Sequence, residues 1–194
     1  MNESLSRVAM TNNKRSPHAL RNKLGRGAWA AVYLLLFRPS PRPLFGWRRL
    51  LLRLFGASMA RNTFVNNTVR IWAPWNLVMG EFSSLAHDVN CYCVAPVRIG
   101  AHVTVSQYSY LCAATHDFED PGFPLRASPI TLGDHCWIAA DVFVGPGVSV
   151  GRGTVVGARS SVFGDLPRWQ VAVGSPARPV RARLVREGAD DRSG

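Results

Sequence analysis

The chain has 194 residues, 47% of them hydrophobic and 18% charged, which excludes a disordered polymer and suits one sizeable globular core. The net charge of +11 belongs to the first third, because residues 1–61 contain 12 Lys or Arg and one acid, whereas residues 62–194 contain 11 of each sign. Such asymmetry indicates an anionic partner, either lipid headgroups or nucleic acid, or else a solvated basic surface.

Residues 1–16 are polar and are predicted to form a disordered tail, without the layout of a secretory signal peptide. The chain has four cysteines, and no two of them form a C-x-x-C pair, so neither a zinc ribbon nor a redox dithiol is indicated. They are interpreted as buried reduced thiols, which predicts a cytoplasmic protein.

Residues 17–61 are predicted to form a basic helical segment. The apolar run AWAAVYLLLF at 28–37 has ten residues, about half of what a bilayer-spanning helix needs. A second apolar segment, WRRLLLRLF at 47–55, follows the breaker RPSPRPLFG. Leu and aromatic residues mixed with Arg suit a helix at the level of lipid headgroups, where the protein would be peripheral to the inner face of the membrane. The same residues could instead pack onto a neighbouring core, and both interpretations remain open.

A repeat of six residues begins near residue 62. An aliphatic residue stands first, often followed by Gly or Ala, and the fifth residue is small or β-branched. The first positions are Met79, Leu85, Cys91, Ile99, Val105, Leu111, Leu132, Ile138, Val144, Val150, Val156 and Val162. The fifth positions are Ser83, Val89, Ala95, Val103, Ser109, Thr115, Cys136, Val142, Val148, Thr154 and Ser160.

The spacing of this repeat predicts a solenoid. Side chains alternate along a strand, so the first and fifth positions of a six point to one side, and the permissive second residue suits a tight turn. Three such strands close a coil of about 18 residues. The predicted fold class is therefore all-β: a left-handed parallel β-helix over 62–184, an N-terminal helical segment, and a flexible tail at 185–194.

Several motifs of the chain resemble those of the hexapeptide-repeat O-acetyltransferases. They are the sixes, THDF, PITLGDHCWIAADVFVGPGVSVGRGTVVGARSSV and VAVGSPARPVRAR. The family includes the maltose, galactoside and nodulation acetyltransferases. The basic FRPSPRPLFGWRRLLLRLFGA and VRIWAPWNLVMGEFSSL are most similar to the colanic-acid (exopolysaccharide) biosynthesis subgroup. The resemblance implies a homotrimer, acetyl-CoA as the donor and a sugar hydroxyl as the acceptor, and it implies no metal.

The repeat is interrupted at LCAATHDFEDPGF, residues 111–123. We expect the coil to break after His116, so that residues 117–129 project and wall off a cleft against a neighbouring subunit. His116 occupies the position of the family's general base, and an imidazole titrates near neutral pH, which suits proton abstraction from a hydroxyl. A carboxylate or a backbone carbonyl should orient its ring, and the sequence leaves Asp117, Asp88 and a carbonyl as alternatives.

The resemblance also implies which residues contact the two substrates. Arg178 and Arg181 match basic residues that meet CoA phosphates. Phe163 and Gly164 stand where the family commonly has Thr and Lys. The full set implied for CoA is Trp137, Ala140, Gly145, Ala158, Phe163, Gly164, Arg178 and Arg181. The residues expected on the acceptor side are His87, Asp88 and Asp117.

The acceptor side departs from the simple sugar acetyltransferases. Ala86 stands where those enzymes carry an acceptor-binding Asn, so free galactoside or maltose is not the expected acceptor. The basic, Leu- and Trp-rich N-terminal segment fits a glycan on a polyprenyl diphosphate at the cytoplasmic face of the membrane.

Two alternatives have other chemistries. A metal hydratase of the carbonic-anhydrase type would need His102, His116 and His135 on one zinc, but their spacing lacks that family's close pair. A non-catalytic scaffold that binds nucleic acid would use the basic segment, but no nucleic-acid motif accompanies the charge, and no nucleic acid is expected as a partner.

Overall fold

Two α-helices, a 3-10 turn at Pro74–Asn76 and a stack of short, mostly parallel strands make up most of the part of the chain that the structure describes. The structure is a computed structural model, and it describes residues 20–185. The tail predicted at 1–16 and all but the first residue of the tail predicted at 185–194 lie outside the described residues.

The basic segment contains the two predicted helices. The first, α1 (Leu20–Val32), continues into a π-helical turn at Tyr33–Phe37, and the second, α2, covers Phe45–Leu54. The indole Nε1 of Trp29 donates a hydrogen bond to the carbonyl oxygen of Ile71 at 2.8 Å, which fastens α1 to the solenoid. Among residues 20–185, no helix is both long and apolar enough to cross a bilayer.

Parallel strands form three long sheets, one on each side of a triangular solenoid. Sheet A contains β1 (Ser58–Met59), β4 (Leu77–Met79), β7 (Val97–Ile99), β12 (Ile130–Leu132) and β15 (Ser149–Val150). Sheet B contains β2 (Phe64–Val65), β5 (Ser84–Leu85), β8 (Thr104–Val105), β13 (Trp137–Ile138), β16 (Val155–Val156), β18 (Gln170–Gly174) and the antiparallel β19 (Ala177–Ala182). Sheet C contains β3 (Arg70–Ile71), β6 (Asn90–Tyr92), β9 (Tyr110–Cys112), β14 (Phe143–Val144) and β17 (Ser161–Val162).

The core runs along the inside of the prism. Every residue predicted at a first position is buried, as are the fifth positions other than Thr115, which is exposed because the solenoid has already been interrupted there. The four cysteines are free thiols, three of them fully buried. The predicted all-β fold, a parallel β-helix with an N-terminal helical segment, is confirmed. Its first strand begins at Ser58, slightly ahead of the expected start at residue 62.

Three corners connect the sheets of the prism. The AB corner, between sheets A and B, contains residues 80–83, 100–103, 133–136 and 151–154. The BC corner contains residues 86–89, 106–109, 139–142 and 157–160. The CA corner contains residues 93–96, 113–129, 145–148 and 163–165.

The role predicted for the second residue of each six was wrong. The left-handed conformation falls on the fourth residue instead, as at Asp88 (φ 57°) and His102 (φ 56°). Glycine is needed at the second position because neighbouring coils are in close contact there. A Cβ on Gly133 would stand 2.7 Å from the backbone nitrogen of Arg152. The glycines therefore let successive coils approach each other at the AB corner.

Candidate active site

A β-hairpin interrupts the solenoid at the CA corner. Its strands, β10 (Ala114–His116) and β11 (Leu125–Ala127), pair antiparallel, with His116 opposite Leu125. The predicted break after His116 was therefore placed too late: the chain leaves the solenoid near Ala113, and His116 ends the outgoing strand. Because a solenoid side is smooth, this hairpin is what gives His116 a position away from the prism.

Asp117 forms its bonds within the hairpin and does not orient His116. Its carboxylate forms an ion pair with Arg126 at 3.0 Å, and its backbone N–H donates to the carbonyl of Pro124 at 2.9 Å. The hydrogen bond from Arg126 holds the pKa of Asp117 below its ordinary value. The pairing ties the two strands together on the solvent side.

His116 is oriented by Phe123, a residue that sequence reasoning missed. The Nδ1 atom of His116 lies 2.9 Å from the carbonyl oxygen of Phe123, and the two rings stack at 4.5 Å with 8° between their planes. A carbonyl only accepts hydrogen bonds, so the neutral ring carries its hydrogen on Nδ1 and leaves the Nε2 lone pair unprotonated. The ring is exposed in the single chain, and Nε2 is available as a base.

Besides Asp117, four of the predicted site residues share the CA corner: His116, Gly145, Phe163 and Gly164. Gly145 is buried, and a Cβ there would stand 3.2 Å from the carbonyl oxygen of Val162, so a larger residue would press on the next coil. Phe163 is 63% exposed and offers an apolar ring. We name these four residues the base group.

The other predicted residues lie on sheet B and at the BC corner. Trp137 is 47% exposed on β13, and its Nε1 donates to Ser106 Oγ at 3.0 Å. Ala140 and Ala158 lie on successive coils of the BC corner, and Arg178 and Arg181 are exposed on β19. We name these five residues the CoA group. The acceptor-side candidates His87 and Asp88 share the BC corner with it.

The width of sheet C separates the base group from the CoA group. Ala140 lies at the BC corner and Gly145 at the CA corner, with strand β14 (Phe143–Val144) of sheet C between them. Within one chain, therefore, the predicted residues fall into two separate groups, one at the CA corner and one at the BC corner and on sheet B, and His116 is not brought together with Trp137, His87 or Asp88.

Sheet C carries an aromatic ladder on its outer surface, another feature that sequence reasoning missed. Ring centroids of neighbours lie 4.9 to 6.4 Å apart, and the ladder consists of Trp72, Tyr92, Tyr110, Phe143 and Phe163. These residues fall in different sixes and in more than one register of the sheet, since Tyr110 is paired with Asn90 and Phe143 with Ser161, so no single sequence period could have revealed them.

A groove of about 550 Å³ lies between α1 and the lower part of the aromatic ladder. Arg26 and Arg70 contribute guanidinium groups to its lining, and Arg26 stacks 3.4 Å from the centroid of the Trp72 ring.

Comparisons with known proteins agree with this fold. The family described as bacterial transferase hexapeptide (six repeats) matches residues 129–164. A protein of Escherichia coli (strain K12) that carries the name colanic acid biosynthesis acetyltransferase WcaF is 43% identical over 185 residues, covering 95% of this chain and 100% of the relative. The chain belongs to the hexapeptide-repeat acetyltransferase family. The predicted resemblance and enzyme class are thereby confirmed.

Solved structures of other hexapeptide-repeat acetyltransferases show the same architecture. A maltose O-acetyltransferase from Clostridium difficile 630 superposes with a TM-score of 0.77 at 25% identity, covering 86% of this chain and 90% of that chain. The hexapeptide-repeat acetyltransferase VCA0836 of Vibrio cholerae, solved with acetyl coenzyme A, superposes with a TM-score of 0.78 at 23% identity, covering 95% and 100%.

The histidines of this hexapeptide-repeat acetyltransferase are distributed over different corners. His102 and His135 stack at the AB corner with ring centroids 4.9 Å apart, whereas His116 belongs to the hairpin at the CA corner. Within residues 20–185, no three His, Cys, Asp or Glu side chains of the chain gather as a metal site would require. The arrangement needed by the metal-hydratase alternative is therefore not formed within one chain.

Proposed function

We propose that the chain is an O-acetyltransferase that moves the acetyl group of acetyl-CoA to a sugar hydroxyl in exopolysaccharide biosynthesis, with His116 as the general base. The name of the Escherichia coli relative and its 43% sequence identity to this chain support the exopolysaccharide role. The acetyl-CoA complex of the Vibrio cholerae structure supports acetyl-CoA as the donor. The observation that carries the catalytic role is the contact between His116 Nδ1 and the Phe123 carbonyl, which fixes the tautomer that a base needs.

The proposed reaction uses one imidazole twice. Nε2 of His116 takes the proton of the acceptor hydroxyl as its oxygen attacks the thioester carbonyl. The tetrahedral intermediate then collapses, the C–S bond breaks, and the imidazolium returns the proton to the departing CoA sulfur. The Phe123 carbonyl keeps accepting from Nδ1–H throughout, and it favours the positively charged ring formed midway.

The proposed CoA site runs along sheet B. Trp137 offers an exposed indole to the pantetheine arm, and the small side chains of Ala140 and Ala158 allow its close approach. Arg178 and Arg181 are exposed, and each donates one hydrogen bond to a nearby backbone carbonyl; in this proposal their guanidinium groups bind the CoA phosphates. Phe163 and Gly164 lie at the CA corner, so in this proposal they would offer the adenine end an apolar ring and backbone only from a neighbouring copy.

We propose that the complete site forms between copies in a homotrimer. The base group and the CoA group lie on opposite edges of sheet C, so a site that uses both needs the base group of one copy and the CoA group of the next. A ring of three copies satisfies this at every interface, because head-to-tail contacts of this kind close into a cycle.

The acceptor-side assignment remains a proposal for His87, Asp88 and Asp117. His87 packs its ring edge-on to Tyr108 at 5.3 Å, and Asp88 is exposed beside it at the BC corner. Both lie on the edge that a neighbouring hairpin would face in the trimer. Asp117 would reach the acceptor only from the solvent side of the hairpin, where Arg126 already pairs with it.

The test is a thiol-release assay with acetyl-CoA against a panel of lipid-linked and nucleotide-linked sugars, with product identified by mass spectrometry. We expect acetate ester on a sugar hydroxyl with one glycan class. Release of CoA without any acetylated sugar across the panel, or acetylation of an amine only, would contradict the proposal. The proposed function includes a cytoplasmic location, which cell fractionation tests.

A further inference from the structure

The N-terminal helices present an exposed apolar face. We name it the helix face, and it consists of Leu35, Leu36, Leu44, Trp47, Leu50 and Leu54. Leu35 and Leu54 are the most exposed, at 73% and 72%. Isolated surface leucines are common, but six large apolar residues on two adjoining helices and the link between them indicate an interaction site.

The helix face is continuous. The indole Nε1 of Trp47 donates to the carbonyl oxygen of Leu36 at 3.1 Å, which joins the end of the first helix to the start of α2. Trp47, Leu50 and Leu54 then follow each other at spacings of three and four residues, so they share one stripe of α2. Leu44 precedes α2 directly.

The helix face is also held rigidly on the solenoid. The fully buried guanidinium of Arg48 donates to the carbonyl oxygens of Val65 (2.7 Å), Pro41 (2.8 Å) and Arg42 (2.6 Å). Leu51 and Leu52 are buried beneath it. Because the inner side of α2 is fully engaged, its exposed stripe is not a core that has failed to close.

The charge around the helix face has one sign. No acid occurs between Glu3 and Glu81, whereas Arg38 and Arg42 are exposed in the link that joins the two helices. On α2, Arg49 and Arg53 donate hydrogen bonds to the carbonyl oxygens of Thr63 and Met59, so they are tied to the solenoid. Apolar residues bordered by guanidinium groups are complementary to a surface that has hydrocarbon beneath phosphate.

We infer that the helix face docks on a bilayer leaflet that contains anionic lipids, with its leucines at the acyl boundary and Arg38 and Arg42 at the phosphates. The inference rests on the proposed function, and it adds that the enzyme meets its acceptor glycan at the membrane surface. Lipid binding itself is measured without acetyl transfer, so either can fail alone. A second copy of the chain is the competing occupant.

Vesicle co-sedimentation of the full chain tests the inference. Vesicles of phosphatidylcholine alone are compared with vesicles of phosphatidylcholine and phosphatidylglycerol in a three-to-one ratio. The double variant Leu35→Gln/Leu54→Gln should bind the anionic vesicles at least about tenfold more weakly than the unchanged protein, because two leucines lose their burial. The matched control, Leu184→Gln/Val185→Gln, alters two similarly exposed apolar residues (84% and 64%) far along the chain and should bind normally.

Three outcomes would overturn the inference. The first is that the unchanged protein sediments with neither vesicle. The second is that the Leu35→Gln/Leu54→Gln variant binds as well as the control, which would assign the binding to charge alone. The third is that the same variant changes the assembly mass in sedimentation velocity while vesicle binding is absent, which would assign the face to a second copy. Vesicle binding without any transfer to sugars would instead contradict only the proposed function.

Discussion

His116 and Phe123 are joined twice, by a 2.9 Å hydrogen bond from the Nδ1 atom to the backbone carbonyl and by stacked rings 4.5 Å apart. The hydrogen bond sets the tautomer and the stacking sets the ring plane. A residue on the returning side of the hairpin thus prepares the base on the outgoing side. No carboxylate of the described chain takes part, since Asp117 pairs with Arg126.

Replacing His116 by Gln should lower kcat by about 10²-fold or more, because the proton of the acceptor hydroxyl loses its base. Steady-state assays with acetyl-CoA measure this, with circular dichroism to verify folding. His102→Gln is the matched control, since His102 is an exposed histidine at the AB corner, and it should retain full activity. Equal losses in both variants would contradict the role of His116.

Replacing Phe123 by Ala should lower kcat roughly fivefold, because about 1 kcal/mol of ring stacking no longer holds the imidazole plane. The KM for acetyl-CoA should stay unchanged, and Phe123→Tyr should restore kcat, since it keeps a stacking ring. A rise in KM with kcat preserved would show that Phe123 contacts substrate and does not position His116.

Replacing Gly133 by Ala should lower the free energy of unfolding by about 1–3 kcal/mol, because the new methyl group would overlap the neighbouring coil at the Arg152 backbone. Gly27→Ala is the matched control: a Cβ on Gly27 meets nothing within 4 Å, and it lies inside α1. It should be neutral or stabilise by up to about 1 kcal/mol. Chemical denaturation measures both, and equal effects would refute the coil-contact explanation.

The pKa of Asp117 should rise toward its ordinary value in Arg126→Gln, because the hydrogen bond and charge of Arg126 lower it in the folded chain. A lowered folded pKa means that the pair contributes stability above the unfolded pKa and loses it as the pH falls through the folded one. Carbon-detected NMR titration of the carboxyl group measures the shift. An unchanged titration in the variant would show that the ion pair is not formed in solution.

The sequence was sufficient for the solenoid because its period is local. An aliphatic residue at every sixth position, such as Ile138, Val144 and Val150, predicts where each strand lies, where each corner follows and which side faces the core. The hairpin was harder to delimit, because Thr115 fits the repeat by residue type although it is exposed. The second-position glycines were misread because contact between coils at Gly133 involves a residue distant in sequence, Arg152.

The site was predicted only in part, for the same reason. His116 and the CoA candidates could be named from their motifs, but their division between two corners depends on how the coils stack. Phe123 could not be foreseen, because it acts on His116 through its backbone carbonyl and through ring stacking. Any residue type can supply a backbone carbonyl. The buried Arg48 likewise resembled the exposed arginines around it, since its carbonyl partners lie in other segments.

The most direct test of the account is a subunit-mixing experiment between two inactive variants. His116→Ala removes the imidazole of the base group, and Ala158→Trp blocks the CoA group at the BC corner. If each site combines the two groups from neighbouring copies, co-refolding equal amounts should restore about a quarter of the normal activity, because one random pairing in about four joins two intact groups. Activity that remains at the level of the separate variants, with mixed assemblies verified by mass spectrometry, would contradict a site shared between copies.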